Sequence, residues 1–445
     1  MRLEDHPTVK RYREKDQASA PEVENKLDAD WLKKMVLEAG ADDAGLVEIN
    51  RPELSNYRAD ILEIFPRTKT LLSFIVRLNS ENIRCPSQAV RDLEFIRTQK
   101  EADGIAGNVT RSLGKMGIAA LNFACGFPMD LDKWPGKMWP LAHKPVAVAA
   151  GMGHMGLNRI VMHPRFGNFI LLDTVLIDHD ATAYDKPVDY NPCIDCKLCA
   201  AVCPVGAIGN DGSFQFANCM THNYRDRMGG FSDWVENIVS SKDIRTYRNN
   251  VTDPETVSMW QSLFCGISNK SSYCMAVCPA GDEYIGSYIS DRKEYIKQIV
   301  KPLQKKEETI FVVSGSDAES HVARRFPSKE IKQVGNGLRP NSARNFFASL
   351  PVVFQKDQSA ELDATYHFSF SGAENYKATV IIQNKDLEVI EGHSGKPDLQ
   401  IIADTRTWLD FLAKEKNLFG ALLSRKIRIK GSPKLMRAFA KCFPA

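Results

Sequence analysis

The sequence predicts an α/β unit, followed by a cysteine-rich insertion and by a separate α+β unit. Three observations predict this order: residues 26–186 alternate helix-like stretches with short apolar runs, residues 193–278 hold most of the cysteines, and residues 336–445 show strand periodicity between helices. Alternating helices and buried strands are typical of α/β proteins, whereas grouped strands flanked by helices are typical of the α+β class.

Length and composition are those of an ordinary globular protein. The chain has 445 residues, 43% hydrophobic and 25% charged, enough for about three domains. The net charge of +3 is too small to indicate nucleic-acid binding, and the longest apolar runs are too short for a membrane span. The charged amino terminus lacks the apolar core of a signal peptide, so we expect a cytoplasmic protein.

The α/β unit is expected over residues 26–186, after an amino-terminal tail of residues 1–25. Residues 26–50 read as a helix followed by the strand-like AGLVEI. The run Leu71 to Val76 is continuously apolar, as in a buried strand, and residues 88–118 read as a long amphipathic helix. Helices therefore alternate with buried strands throughout this unit.

The insertion, residues 187–300, opens with the uninterrupted motif C-x2-C-x2-C-x3-C-P, which is formed by Cys193, Cys196, Cys199, Cys203 and Pro204. Two-cluster ferredoxins hold [4Fe–4S] clusters with this spacing, and the fourth cysteine serves the other cluster. A zinc ribbon would have two separated C-x2-C pairs and no C-P end, and disulfides are not expected in a reducing compartment. The segment therefore predicts iron–sulfur electron transfer.

A glycine-rich stretch precedes the insertion. Gly151, Gly153 and Gly156 superficially satisfy G-x-G-x-x-G. A dinucleotide-binding fingerprint would follow the first strand and have an acidic residue about 20 positions later, whereas this stretch comes late and follows an apolar, helix-like segment. A tight turn that lets the backbone lie against a flat cofactor or a neighbouring helix is the favoured interpretation.

Five segments, taken in order, resemble the corrinoid-dependent reductase superfamily, which includes epoxyqueuosine reductases and reductive dehalogenases. The segments are AAGMGHMGLNR, HPRFGNFILLDTVLID, CIDCKLCAAVCPVGAI, FANCM and CMAVCP. The resemblance covers about residues 30–290. It implies a nitroreductase-like corrinoid-binding fold for the α/β unit, two [4Fe–4S] clusters and cobalamin as a cofactor. It also implies that the glycine turn contacts the corrinoid, through Gly151, Gly153, His154, Gly156 and Asn158.

The same resemblance implies the ligands of each cluster. The first cluster would be held by Cys193, Cys196, Cys199 and Cys278, and the second by Cys203, Cys219, Cys265 and Cys274. Epoxyqueuosine reductases carry a compact C-x2-C-x3-C, whereas eight residues separate Cys265 from Cys274 here, so Cys265 departs from the pattern. Three other cysteines match nothing in the family and are expected to be small buried hydrophobic residues: Cys85, Cys125 and Cys442.

The proton donor is less clearly indicated. Epoxyqueuosine reductases have an aspartate in a D-T-A-P segment shortly before the glycine turn, and Lys137 stands at about that position here. Dehalogenases use a tyrosine with basic neighbours, so Lys137, His143 and His154 are the candidate donors. A histidine suits this role because its ordinary pKa is near neutrality. The missing aspartate argues against epoxyqueuosine as the substrate.

Residues 336–445 follow an expected linker, residues 301–335, and resemble the sterol-carrier-protein type 2 (SCP2) domain. The resemblance lies in the helix NSARNFFASLPVVFQ, the alternating strands ATYHFSFSG and YKATVIIQ, and the segments PDLQIIAD, TRTWLDFLA and KIRIKGSPKLM. Period-two alternation marks strands with one buried face. The family has an apolar tunnel for lipids or acyl groups; a filled core that serves docking is the alternative.

Three functions are compatible with these features. The first is a corrinoid-dependent reductase that removes halogen or oxygen from a small hydrophobic molecule, with a ferredoxin or flavodoxin as electron donor. The second is an electron carrier that has clusters but no corrinoid. The third is a lipid-binding protein whose clusters sense redox state. Neither a nucleic-acid partner nor a membrane span is expected.

The long spacing after Cys265 gives the first testable prediction. If Cys265 is a ligand, its replacement by serine should impair only one of the two clusters in the electron paramagnetic resonance spectrum. An unchanged spectrum with unchanged iron content would remove Cys265 from the ligand set.

Overall fold

The structure is a computed structural model that describes residues 2–16, 26–126, 139–266, 268–413 and 415–444. It has a mixed α/β fold, as expected, built around a four-stranded sheet in the first part of the chain and a five-stranded sheet at the end. No helix in the described ranges is both long and apolar enough to cross a bilayer.

Strands and helices alternate before the cysteine-rich insertion. The strands are β1 (Lys26–Leu27), β2 (Asp43–Glu48), β3 (Thr70–Arg77), β4 (Ala120–Asn122), β5 (His154–Met155), β6 (Val161–Met162), β7 (Ile170–Ile177) and β8 (Asp180–Ala181). The helices are α1 (Pro7–Asp16), α2 (Ala29–Glu38), α3 (Ser55–Ile64), α4 (Ser80–Arg84), α5 (Gln88–Lys115) and α6 (His143–Ala149). The predicted helix and strand within residues 26–50, the strand from Leu71 to Val76 and the long helix are confirmed.

The four-stranded sheet has the order β2-β3-β7-β4, and its neighbouring strands are antiparallel. Both of its faces are covered. On β3, Leu72 and Phe74 pack into the core formed with α2 and α5, whereas Leu71 and Ile75 pack into the core formed with α3 and α6. Burial on both faces explains why this strand reads as a continuous apolar run rather than an alternating one.

The insertion is mainly helical. Its helices are α7 (Leu198–Val202), α8 (Phe216–His222), α9 (Gly229–Ser240), α10 (Ile244–Asn250), α11 (Asp253–Cys265), α12 (Tyr273–Ala276), α13 (Ile285–Ser290), α14 (Arg292–Tyr295) and α15 (Lys301–Lys305). The first cysteine motif flanks α7, Cys219 lies in α8, and Cys265 is the last residue of α11.

The stretch expected to be a linker, residues 301–335, is folded. After α15 it forms β9 (Thr309–Val312), α16 (Asp317–Arg325) and β10 (Glu330–Gln333), with the two strands paired in parallel. Ile310 and Val322 are fully buried and share an apolar cluster with Cys203. Residues 301–335 are therefore part of the core around the cysteines. The apolar strand β9 was the signal in the sequence that this stretch is folded.

The final unit has the predicted elements. It contains α17 (Ala343–Val353), β11 (Ala364–Ser371), β12 (Tyr376–Gln383), β13 (Asp386–Glu391), β14 (Leu399–Asp404), α18 (Thr405–Leu412), α19 (Leu418–Leu423), β15 (Ile427–Gly431) and α20 (Pro433–Cys442). The sheet order is β13-β12-β11-β14-β15, with β11 and β14 parallel. Phe346 of α17, Phe368 of β11 and Trp408 of α18 pack edge to face with centroids 5.6–6.1 Å apart, so aromatic rings fill the interior between sheet and helices at this point.

Two loops approach each other closely where the insertion returns to the α/β unit. Gly167 and Gly281 have positive φ angles of 57° and 97°. A Cβ atom on Gly281 would lie 2.3 Å from the Gly167 nitrogen and 2.9 Å from the Arg165 oxygen. The contact requires glycine, and it fixes the chain three residues after Cys278.

We therefore expect Gly281→Ala to destabilise the fold by about 1–3 kcal/mol through backbone strain and to lower the iron bound per chain. Gly286→Ala is the matched control, because a Cβ at this position in α13 meets nothing within 4 Å. Thermal unfolding and iron analysis of both variants check this. Equal behaviour of the two variants would contradict the proposed role of the contact.

Candidate iron–sulfur centre

The loop that carries the first three cysteines is curled by two left-handed residues. Asp195 and Lys197 have φ angles of 50° and 61°, an uncommon conformation for residues other than glycine. The loop begins at a turn in which the Cys193 N–H donates to Asn191 Oδ1 at 2.9 Å, and it ends where α7 begins. This backbone conformation lets Cys193, Cys196 and Cys199 line the same cavity.

Four cysteines line one small cavity: Cys193, Cys196, Cys199 and Cys278. They are the four residues that the family resemblance implied for the first cluster. Leu157, Asn158 and Met162 of the α/β unit line the same cavity, so both units contribute to its wall. Four thiolates around an apolar space are the donor set of a [4Fe–4S] cluster, and the residues fit this group.

Burial and mutual charge control these thiols. Burial raises the pKa of Cys199 to about 12, with further contributions from Cys274 and Cys196, and burial raises the pKa of Cys278 even more. Without iron, Cys199 and Cys278 therefore stay protonated at neutral pH, and cluster assembly must release their protons. Within the described residues no three His, Cys, Asp or Glu side chains are placed to share a single metal ion; the bridging sulfides of a cluster hold its thiolates farther apart.

A second group of cysteines lies beside the first. Cys203, Cys219 and Cys274 share an apolar cluster, and burial raises the pKa of Cys274, followed by the charges of Cys219, Cys203 and Cys278. The Ala207 N–H donates to Cys203 Sγ at 3.2 Å. Cys265, the fourth residue implied for the second cluster, is instead exposed at the end of α11. The structure brings three of these four cysteines together.

The backbone of the glycine turn lies close to other parts of the chain. A Cβ on Gly151 would lie 2.6 Å from the Lys186 oxygen, and one on Gly153 would lie 2.2 Å from the Met162 oxygen. A Cβ on Gly156 would lie 2.5 Å from the end of the Met162 side chain. Close packing of the turn therefore requires glycine at these positions, and its contact with a corrinoid stays a prediction.

The side chains next to the glycine turn face the cysteines or solvent. Asn158 is buried, and its Nδ2 donates to the Cys274 carbonyl oxygen at 3.3 Å. The Asn168 Nδ2 donates to the same oxygen at 3.5 Å. His154 is exposed on β5. The turn that the sequence assigned to a cofactor is thus attached to the cysteine centre.

Of the predicted proton donors, Lys137 lies outside the described residues. His143 is placed at the start of α6, where its Nε2 lies 3.1 Å from the Ala124 oxygen and its Nδ1 lies 3.0 Å from Thr174 Oγ1. Burial lowers the pKa of His143 to about 4. The ring is therefore neutral near pH 7, and both of its nitrogens are occupied.

A buried acidic group beside His143 was missed by the sequence reasoning. Asp173 lies within β7 and its side chain is fully buried, with Oδ1 3.9 Å from His143 Nδ1 and with Oδ2 lacking a hydrogen-bond partner. Burial raises the pKa of Asp173 well above its ordinary value, and the nearby Asp103 raises it further. A charged residue inside the apolar run FILLDTVLID was the available signal.

Cys125 belongs to the same polar group. Its N–H donates to Asp103 Oδ1 at 2.9 Å, and burial, Asp173 and Asp103 raise the pKa of its thiol. The sequence reasoning expected Cys125 to be a small buried hydrophobic residue. Its side chain is only partly buried, and it lies beside two carboxyl groups at the point where the chain leaves β4.

Family profiles match two parts of the chain. The 4Fe-4S binding domain matches residues 186–209, which contain the first cysteine motif. The SCP-2 sterol transfer family matches residues 354–444, which contain all strands of the five-stranded sheet. The class of protein follows from these matches and the cysteine geometry: an iron–sulfur protein fused to an SCP2-like domain.

Sequence relatives lie among the epoxyqueuosine reductases. The enzyme of Cyclobacterium marinum is 31% identical over 83 residues, which are 19% of this chain and 26% of the enzyme. That of Bacillus cereus is 25% identical over 146 residues, which are 29% of this chain and 38% of the enzyme. The chain thus spans about a quarter to two-fifths of the length of these relatives. The predicted resemblance to the corrinoid-dependent reductase superfamily, with a fused SCP2-like domain, is confirmed.

Solved structures of the same superfamily are also similar. A catabolic reductive dehalogenase in complex with 3-bromo-4-hydroxybenzoic acid is 14% identical, with a TM-score of 0.37. The match covers 66% of this chain and 37% of that chain. An epoxyqueuosine reductase with a modified tRNA stem loop is 16% identical, with a TM-score of 0.31 and coverages of 45% and 60%.

The raised pKa of Asp173 gives a pH-dependent prediction. The folded protein holds this proton more tightly than the unfolded chain does. The free energy of unfolding therefore falls as the pH rises from about 4 towards the pKa of Asp173 in the folded protein. The Asp173→Asn variant does not have this pH-dependent loss of stability. The difference between its urea unfolding midpoint and that of the natural protein should therefore shift in favour of the variant as the pH rises. Asp180→Asn, with a half-exposed side chain on the neighbouring β8, is the control. A pH-independent difference for Asp173→Asn would contradict the assignment.

Proposed function

We propose that the protein is an iron–sulfur oxidoreductase that passes electrons through two [4Fe–4S] clusters to reduce a small hydrophobic substrate, by dehalogenation or deoxygenation. The observation that carries this proposal is the cavity lined by four cysteines and by side chains of the α/β unit. Because both units form its wall, a cluster there would lie in direct contact with the unit in which the reaction is expected.

The second cysteine group supports an electron path of two steps. Cys199 and Cys274 belong to different groups, yet the charge of Cys274 contributes to the raised pKa of Cys199, so the two groups are neighbours. The first group is the more accessible, because Ile194 in its loop is 46% exposed. We infer that a ferredoxin or flavodoxin delivers single electrons at this loop.

A corrinoid is the electron acceptor that the family resemblance implies, and when bound it would supply a strongly reducing cobalt centre. The chain's own residues contribute a buried acid: burial raises the pKa of Asp173 well above its ordinary value, and among the described residues its Oδ2 has no hydrogen-bond partner. We propose Asp173, rather than His143, as the group that holds a proton for the reaction.

The C-terminal unit supports a hydrophobic ligand. The SCP-2 sterol transfer match suggests a lipid or acyl group. The side chain of Trp408 is almost completely buried, and within the described part of the chain its Nε1 has no hydrogen-bond partner, although a buried indole N–H usually has one. This is consistent with a ligand that has an acceptor atom. Transfer RNA, which an epoxyqueuosine reductase structure contains, is the competing substrate class.

Metal analysis tests the proposal. After anaerobic purification with cobalamin supplied, we expect about eight irons and about one cobalt per chain, because each [4Fe–4S] cluster contributes four irons. Cys196→Ser should reduce the iron content to about half, and Cys85→Ser, outside both groups, should not. About eight irons without cobalt would instead support the electron carrier, and release of bound lipid without reductive turnover would support the redox-linked lipid-binding protein.

A further inference from the structure

The ligand set of the second cluster differs from the set that the sequence suggested. Cys203, Cys219 and Cys274 lie in one apolar cluster, which also contains Cys199 of the first group and residues of β9 and α16. Cys265 is absent from this cluster and is exposed, and the residues just before it, Leu263 and Phe264, are 61% and 78% exposed. Cys265 thus lies on the outward side of α11.

Helix α11 is held firmly in this orientation. Thr252 and Glu255 form a reciprocal capping box at its start, and Glu255 pairs with Lys332 of β10 at 2.6 Å. In the next turn, the Ser258 hydroxyl donates to Asp226 Oδ2 at 2.6 Å. Bringing Cys265 to the other three cysteines would require this anchored helix to turn or its last turn to unwind.

A different residue stands at the family position. Ser271 precedes Cys274 by three residues, so residues 271–278 reproduce the C-x2-C-x3-C spacing with serine in place of the first cysteine. Asn223, four residues after Cys219, holds this segment: its Oδ1 accepts the Ser271 N–H at 2.8 Å, and its carbonyl oxygen accepts the Lys270 N–H at 3.2 Å.

Two buried hydroxyl groups beside the cysteines lack partners. Ser272 Oγ and Thr221 Oγ1 are buried and have no hydrogen-bond partner among the residues that the structure describes, and each lies two residues from a cysteine of the group. Buried hydroxyls are normally satisfied, so such atoms indicate a polar group that belongs in the site. An inorganic cluster, whose sulfides accept hydrogen bonds, is such a group.

We propose that the second cluster is held by only three thiolates, from Cys203, Cys219 and Cys274, and that its fourth iron faces Ser271 and carries an oxygen ligand, either the serine hydroxyl or water. This inference rests on the two-cluster proposal above. An iron without a thiolate is the one most easily lost: when ferricyanide removes one electron, [4Fe–4S]2+ becomes [3Fe–4S]+ and releases Fe2+. Such an iron can also bind a small oxygen or nitrogen donor directly.

The experiment compares the full-length natural chain with Cys265→Ser, Cys219→Ser and Ser271→Cys, each assembled anaerobically. Iron and sulfide per chain are measured, then electron paramagnetic resonance spectra after one equivalent of ferricyanide. We expect about eight irons and a [3Fe–4S] signal from both the natural chain and Cys265→Ser, and about four irons from Cys219→Ser. Ser271→Cys should keep about eight irons and lose the [3Fe–4S] signal, since a thiolate now retains the iron.

Other outcomes separate the two proposals. About eight irons in the natural chain but four in Cys265→Ser would overturn the three-thiolate assignment and leave the two-cluster function intact. A natural chain that gives no [3Fe–4S] signal at eight irons would also overturn it. About four irons in the natural chain would overturn the two-cluster function and this inference together. If Ser271→Cys fails to fold, the Cys265→Ser comparison still decides.

Discussion

The structure depends on seven cysteines that share one largely apolar region. Burial raises the pKa of six of these thiols, and for most of the six a neighbouring cysteine raises it further. Iron and sulfide would link the cysteines of the insertion to one another, and the α/β unit and the β9-α16-β10 segment pack around these cysteines. Assembly of the clusters and folding of the region are therefore coupled.

The sequence predicted those parts of the fold in which the pattern of apolar and polar residues matches the burial of each residue. The strand from Leu71 to Val76 is apolar because both of its faces are buried, and the alternating strands of the final unit have one buried face each. The linker was misjudged because β10 has no fully buried residue: its four positions are half-buried or exposed. Its position is fixed by pairing with β9, a long-range contact that local pattern does not reveal.

The candidate site shows the same distinction. The first cysteine motif is local, and its cysteines line one cavity together with Cys278. The second group depends on how far α11 is rotated and on where the segment before Cys274 lies, and neither follows from spacing. His143 looked like a titrating residue near neutral pH, but burial lowers its pKa to about 4. Asp173 looked like one polar residue in a strand, and only the three-dimensional surroundings show it to be a buried acid.

Helix α16 explains why the C-terminal unit is more than an attached module. At its start, the Asp317 N–H donates to Gln355 Oε1 at 2.8 Å, and Asp317 Oδ2 accepts the Asp357 N–H at 2.9 Å, both beyond α17 in the final unit. Within α16, Ala318 shares an apolar cluster with Cys203, and the His321 ring lies against Gly206, three residues after Cys203. A nine-residue helix thus connects a cysteine of the second group with the SCP2-like unit. Because α16 is also packed through Val322 against β9, it cannot shift at one end without disturbing the other. The segment between the cysteines and the final sheet is therefore a folded connector that contacts both.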